Sequence, residues 1–328
     1  MKIVRFYFSF LIVSLLAISS IPGLAKDSPP QKTAMDLQKT AEYVKSWSNR
    51  PSFPDSVTLA YYYTYGIGAL GEKIAPEQKK AIIEFIKKCQ KESGGFASEP
   101  SYSKNPNVIF TYYALKALSL LDSVKSIDRK KATGFLSGLV RTTGGIAAQN
   151  RKGDHPTLAT TYYGLESLRM LGESVNLDKE KSVAFIKQYK AKDKGYSMLA
   201  KGGAASSRAT FMALSSLDIL GALSAKDKQE SGAFLLETRY AGEIDGKKYL
   251  TLPQLRQMSF TIQALIKIAA LDKANTTGMY NFVESLYVPE NGGFGPEPGL
   301  GTTPPSTYDA LFCLVQLGKL STPEAADN

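Results

Sequence analysis

The chain has 328 residues, with 40 Lys and Arg against 30 Asp and Glu for a net charge of +10, and 43% hydrophobic residues. That content excludes an intrinsically disordered chain, and two cysteines exclude a disulfide-stapled scaffold. The basic residues are spread out rather than gathered in one tract, which argues against nucleic acid as a partner and leaves anionic lipids, phosphates or a membrane surface as expectations.

Lys2 and Arg5 precede an apolar run from Phe6 to Leu16, and Gly23-Leu24-Ala25 supplies a small-residue site. The pattern reads as a secretory signal peptide over residues 1–25, cleaved near Ala25, which places the mature chain in a periplasm or outside the cell. An uncleaved membrane anchor is the competing reading. Loss of Lys2 and Arg5 leaves a formal charge of +8.

From there the chain repeats. An aromatic followed by an aliphatic residue recurs as Tyr43-Val44, Phe85-Ile86, Phe135-Leu136, Phe185-Ile186, Phe234-Leu235 and Phe282-Val283, in steps of 42, 50, 50, 49 and 48. Each pair lies on an amphipathic helix. In the second, Ile82, Ile83, Phe85, Ile86 and Cys89 share a face opposite Lys79, Lys80, Lys87 and Lys88. Glycine breaks follow at Gly94-Gly95, Gly144-Gly145, Gly195 and Gly292-Gly293, as expected where a helix must end.

After each break a second helix is predicted, in the registers TYYALKAL (111–118), TYYGLESL (161–168), TFMALSSL (210–217), TIQALIKI (261–268) and TYDALFCL (307–314), with AYYYTYGI (60–67) as a weaker first copy. The leading Thr is expected to cap or precede its helix. Six hairpins of about fifty residues, with no strand pattern, predict an all-α fold. The Lys-rich first helices suit an outer layer and the aromatic-rich second helices an inner one, so we expect an (α/α)6 toroid over residues 26–320 and a disordered tail over 321–328. Cys89 and Cys313 fall on apolar faces of distant helices and read as free buried thiols, although a disulfide between them is conceivable in an oxidising compartment.

The stretch from Phe85 through Gln90 to Gly94-Gly95-Phe96, aromatic-aliphatic-x-x-x-Gln-x-x-x-Gly-Gly-aromatic, resembles the repeat of the prenyltransferase and squalene-cyclase superfamily, above all the β-subunits of protein prenyltransferases. The resemblance extends over nearly the whole chain after the leader. It implies an aromatic cavity for an isoprenoid chain and basic rim residues for its diphosphate. Relatives of the transferase type hold a zinc ion through an Asp-x-Cys pair and a His; the aligned positions here carry Leu255-Arg256-Gln257 and Ser306, so no metal and no cofactor is expected. The Asp-x-Asp-Asp acid motif of the cyclases is absent from the sequence.

The candidate residues follow from the loops. His155, the single histidine, stands beside Asp154 as a candidate general base or phosphate contact, the carboxylate tuning the imidazole. Arg151, Lys152, Lys201, Arg208, Lys247, Lys248 and Arg256 are placed on one rim, where several cations bind a phosphate head group, with Arg208 the strongest; solvated loop charge is the alternative. Tyr112, Tyr113, Tyr162, Tyr163, Tyr308 and Phe211 read first as packing between the helix layers, with a minority lining the cavity, for which Tyr112, Tyr162, Phe211 and Tyr308 are the candidates. Acidic residues at the same rim are Glu99, Asp154, Glu243, Asp245, Glu297 and Asp309.

Three function classes survive: an exported isoprenoid or lipid-phosphate binder of prenyltransferase type, with or without transferase chemistry; a secreted carbohydrate-active toroid using paired carboxylates; and a non-catalytic interaction scaffold. The repeat motif favours the first.

Overall fold

Twelve α-helices among the described residues alternate between two layers, and the hydrophobic pattern explains why. The outer helices are α1 (Leu37–Ser46), α3 (Pro76–Cys89), α5 (Arg129–Gly138), α7 (Lys179–Lys187), α9 (Ala225–Glu237) and α11 (Thr276–Ser285). Each buries one narrow stripe, such as Ile82, Ile86 and Cys89 in α3. The inner helices are α2 (Val57–Ala69), α4 (Val108–Leu120), α6 (Leu158–Leu171), α8 (Ser207–Ile219), α10 (Gln254–Lys267) and α12 (Pro304–Gln316). Apart from α10, which carries Arg256, Gln257, Gln263 and Lys267, they are apolar nearly all round and buried on most faces.

The inner helices pack in the order α2, α4, α6, α8, α10, α12 and back to α2, which closes a ring. Residues 35–328 make one compact unit, an α/α toroid. The computed structural model describes residues 34–101, 106–172, 177–237 and 254–322; the expected signal peptide, Glu243, Asp245, Lys247, Lys248 and the tail from residue 323 lie outside them. Among the described residues no helix is long and apolar enough to cross a membrane.

The caps come from short polar side chains rather than from the repeated Thr. Ser56, Asn107, Thr157, Ser206 and Thr303 cap inner helices, and Asp36, Asp128, Asp178 and Asn275 cap outer ones, each accepting from a backbone N–H in the first turn. The Thr of the TYY-type registers sits one turn inside the helix and does something else. Thr111, Thr161, Thr210 and Thr307 accept, through Oγ1, the backbone N–H of Phe96, Ile146, Tyr196 and Phe294, at 3.0–3.1 Å. Each of these four turn residues is fully buried. The Thr therefore satisfies a buried donor that would otherwise be orphaned, tying turn to inner helix.

The glycine pairs tie each turn to the next repeat. Gly94 has φ +94°, and a Cβ there would lie 2.1 Å from the Lys131 carbonyl oxygen in α5; at Gly95 it would lie 2.5 Å from the Phe135 ring. Gly144 and Gly145 stand in the same relation to Lys181 and Phe185. Gly292 and Gly293 meet Lys39 and Tyr43 of α1, so the last turn docks on the first outer helix and the ring closes. Phe135, Phe185, Phe234 and Tyr43, the aromatics of four of the aromatic-aliphatic pairs, are thus lids over Gly95, Gly145, Gly195 and Gly293. Gln90 adds a staple: its Nε2 donates to the carbonyls of Gly94 and Asp128 at 3.1 and 2.9 Å, and its Oε1 accepts from the Asp128 N–H at 3.1 Å. Cys89 and Cys313 are buried and unbridged, one in the outer layer and one in the inner.

Candidate active site on the toroid axis

The inner helices carry their aromatics on faces that meet at the axis. Tyr112, Tyr162, Phe211 and Tyr308 lie in the same register of α4, α6, α8 and α12, and all four line one cleft, with Arg256 and Asp309 beside them. The cleft measures only about 40 Å³ because rings fill it. Tyr62 stacks on Tyr308 with centroids 4.6 Å apart, and Tyr162 meets Phe211 edge-on at 5.3 Å. The Tyr61 and Tyr308 hydroxyls are 2.7 Å apart. Burial holds the hydroxyls of Tyr112, Tyr162 and Tyr308 well above the usual tyrosine range, so these groups are neutral donors and acceptors at any physiological pH.

A single ion pair sits in this aromatic setting. Arg256 Nε donates to Asp309 Oδ2 at 2.8 Å; the Asp309 side chain is 5% exposed and the Arg256 side chain 33%. Burial pushes Asp309 upward, while Arg256 and the Ser259 hydroxyl pull it back. Burial also acts against the charge of Arg256, yet Asp309, Tyr62 and Tyr113 hold it in place. Protonating Asp309 would strand a partly buried cation, so each partner depends on the other.

The remaining sequence candidates lie elsewhere. Arg256, expected in a rim loop, is in the first turn of α10, because that helix begins seven residues before Thr261 rather than near it. Asp309, expected at the rim, is 3% exposed in the core. His155 is exposed, and the Asp154 carboxylate accepts the backbone N–H of Gln149, closing its own loop rather than orienting the imidazole. Arg151 faces an outer groove of about 360 Å³ shared with Ser93, Phe135 and Gln149. Lys201 is exposed at positive φ (62°), with its N–H on the Gln188 carbonyl. Arg208 is exposed with its guanidinium 5.9 Å from the Phe260 centroid. Of the basic and aromatic sequence candidates, the axis brings together Tyr112, Tyr162, Phe211, Tyr308 and Arg256. Asp309 as the partner of Arg256 was missed as a pair, since 53 residues and two different helices separate them.

With this geometry in place, the family follows. A family model for the prenyltransferase alpha-alpha toroid domain matches residues 35–249 and 247–327, and the chain belongs to that family. Among individual proteins it is similar to the β-subunit of protein farnesyltransferase from Arabidopsis thaliana, 31% identical over 118 residues that cover 33% of this chain and 24% of the relative. The Pisum sativum β-subunit is 32% identical over 69 residues, 21% of this chain and 16% of the relative. The chain thus matches a quarter or less of the length of these relatives. In structure it is similar to Candida albicans protein geranylgeranyltransferase-I complexed with GGPP, with a TM-score of 0.72 at 15% identity, covering 89% of this chain and 95% of that one. It is also similar to a type II terpene cyclase from Scytonema in complex with geranylgeranyl dihydroxybenzoate, with a TM-score of 0.57 at 10% identity, covering 86% and 96%.

Asp309 already carries the Arg256 guanidinium, and burial holds the Cys313 thiol well above its usual range. The one imidazole is in the exposed 151–155 loop. Among the described residues no group of three or more His, Cys, Asp or Glu side chains is arranged to hold a metal.

Proposed function

We propose that this toroid is an exported, prenyltransferase-like protein that takes an isoprenoid or other lipid-phosphate chain into its axis without the family's metal chemistry. The observation that supports the reading most is the axial layer of Tyr112, Tyr162, Phe211 and Tyr308, a set of neutral aromatic faces at the position where a closed α/α ring converges. Ligand pockets typically enclose ~300–1,000 Å³. A cleft of about 40 Å³ therefore admits a chain only when the tyrosines rotate aside. Loss of ring–ring contact on opening is offset by contact with the polyene. The Arg256–Asp309 pair stays in the wall and fixes one side of the opening. Residues 1–25 carry the protein out of the cytoplasm in this reading, which directs attention to lipids of an exported compartment or a membrane face.

The filled centre favours a second reading, a scaffold whose axis is simply core. Mass spectrometry of small molecules extracted from protein purified gently from its own compartment separates the two. A polyprenyl or other lipid that co-purifies with the natural chain and is lost from a Tyr162→Trp variant, whose larger ring fills the cleft, supports the axial site. Lipid carried equally by both proteins would remove the axis from consideration, and no lipid in either favours the scaffold.

A further inference from the structure

Beneath the aromatic layer, one turn closer to the C-terminal ends of the inner helices, the axis turns polar. Four residues after Tyr61, Tyr112, Tyr162, Phe211 and Tyr308 come Tyr65, Lys116, Glu166, Ser215 and Phe312, so the same helical faces carry both layers. Contacts confirm the stacking: Lys116 Nζ lies 5.8 Å from the Tyr112 centroid, and Tyr65 meets Tyr308 at 5.1 Å.

This lower layer has unmet hydrogen-bonding capacity. Ser215 is 1% exposed, and its Oγ has no partner. Tyr65 is 7% exposed; its hydroxyl approaches Gln316 without completing a hydrogen bond. Lys116 forms no ion pair or hydrogen bond among the described residues. It stands within electrostatic range of Glu166, Arg169 and Lys267. Glu166 is already committed, accepting from Arg169 at 2.8 and 3.0 Å, and Lys267 is committed to Asp218 at 2.9 Å. Three cations thus face two carboxylates, and the excess charge belongs to Lys116.

The negative ends of the inner-helix dipoles account for Arg169 and Lys267, which stand in the last turns of α6 and α10. Lys116 lies a full turn before the end of α4 and has no such explanation. Burial lowers its proton affinity, and the Glu166 charge offsets this only in part. Access comes from the mouth on this side, where Arg169 is 55% exposed and Asp218 50%.

We propose that the polar end of the axis is an oxyanion site in which Lys116 binds a phosphate-class group, with Ser215 and Tyr65 donating their free hydroxyls. The inference rests on the axial-ligand reading and deepens it. The head group of a bound amphiphile would lie at the C-terminal mouth, opposite the loop rim carrying Arg151, Lys201 and Arg208. The same chemistry suits a free phosphate or a lipid head group.

Calorimetric titration of the full mature protein with inorganic pyrophosphate, farnesyl monophosphate and farnesol decides among these. Pyrophosphate is expected to bind the natural chain at least tenfold more tightly than Lys116→Gln, with Lys116→Arg retaining most of the affinity, Ser215→Ala losing several-fold and Arg208→Gln unchanged. Unchanged melting of each variant excludes misfolding as the cause, and the Lys116→Arg result keeps the test valid if Lys116→Gln proves unstable. Farnesyl monophosphate binding far more tightly than pyrophosphate identifies a lipid head group; equal affinities identify a free anion. Anion binding that survives Lys116→Gln, or that is lost in Arg208→Gln instead, overturns the site. Farnesol binding without any anion effect overturns the site while leaving the axial reading intact, and silence from all three ligands overturns both.

Discussion

The turns of this ring are nearly copies of one another, whereas the lower layer of the axis changes from helix to helix. Phe96, Ile146, Tyr196 and Phe294 all donate to a Thr one turn into the next inner helix, and all follow a glycine that the next outer helix covers. At the axis the equivalent positions read Tyr65, Lys116, Glu166, Ser215 and Phe312. Closure of a ring from stacked repeats requires the same docking at each step, so the turns admit little variation. A binding axis needs different groups at different places, and repetition there would give a symmetric, featureless core.

Substitutions at the turns should therefore be costly in a way that substitutions on the outer faces are not. Gly94→Ala puts a Cβ against the Lys131 backbone at positive φ and is expected to cost about 3 kcal/mol or more. Gly134→Ala, in open space on α5, should be neutral or stabilise by about 0.5–1 kcal/mol. Chemical denaturation of both checks the contrast, and equal effects would show that the turns are not special.

At the axis, Asp309→Asn leaves Arg256 without its counter-charge and is expected to cost about 3 kcal/mol, discounted from the fully buried case because a third of the Arg256 side chain is exposed. The double variant Arg256→Met with Asp309→Leu should recover most of that loss in the same denaturation assay. If the double change is as damaging as both single changes summed, the pair is not an isolated unit.

Thr111→Val keeps the shape but removes the acceptor for the Phe96 N–H, with an expected loss of about 1–2 kcal/mol. Amide exchange at Phe96 should rise in that variant, and unaltered protection there would deny the Thr its role.

The smallest effect at neutral pH concerns the thiols. Burial pushes Cys89 up to about 12, above its unfolded value near 9, so the native state retains this proton longer than the unfolded chain. Its contribution is fully present below pH 9 and is lost as pH rises toward 12. Alkylation at pH 8 should modify neither Cys89 nor Cys313 until denaturant is added; rapid labelling of the native protein would place them nearer solvent than they are here.

These contrasts also explain what could be read from sequence. The period of the aromatic-aliphatic pairs and the apolar inner registers specify twelve helices in two layers, because burial leaves its signature locally in each helix. The glycine pairs are visible too, but not their reason, since the atoms that exclude a Cβ belong to the following repeat. The Thr residues misled for the same cause: their partners lie 13–15 residues back, across the turn. Tyr112, Tyr162, Phe211 and Tyr308 are visible in the sequence as inner-helix aromatics, but that they line one cleft rather than only pack between layers is seen in the fold alone. The repeat pattern puts Arg256 in a rim loop because it does not reveal that α10 extends further toward its N-terminus, and its pairing with Asp309 arises only when the ring closes α10 against α12.

The account stands most directly on whether the axis opens for a chain. A crystal structure of the mature protein grown with farnesyl monophosphate is expected to show continuous density inside the inner ring, with the rings of Tyr112, Tyr162 and Tyr308 rotated away from their present contacts. Density confined to the outer grooves, around an axis still closed by those tyrosines, would contradict it.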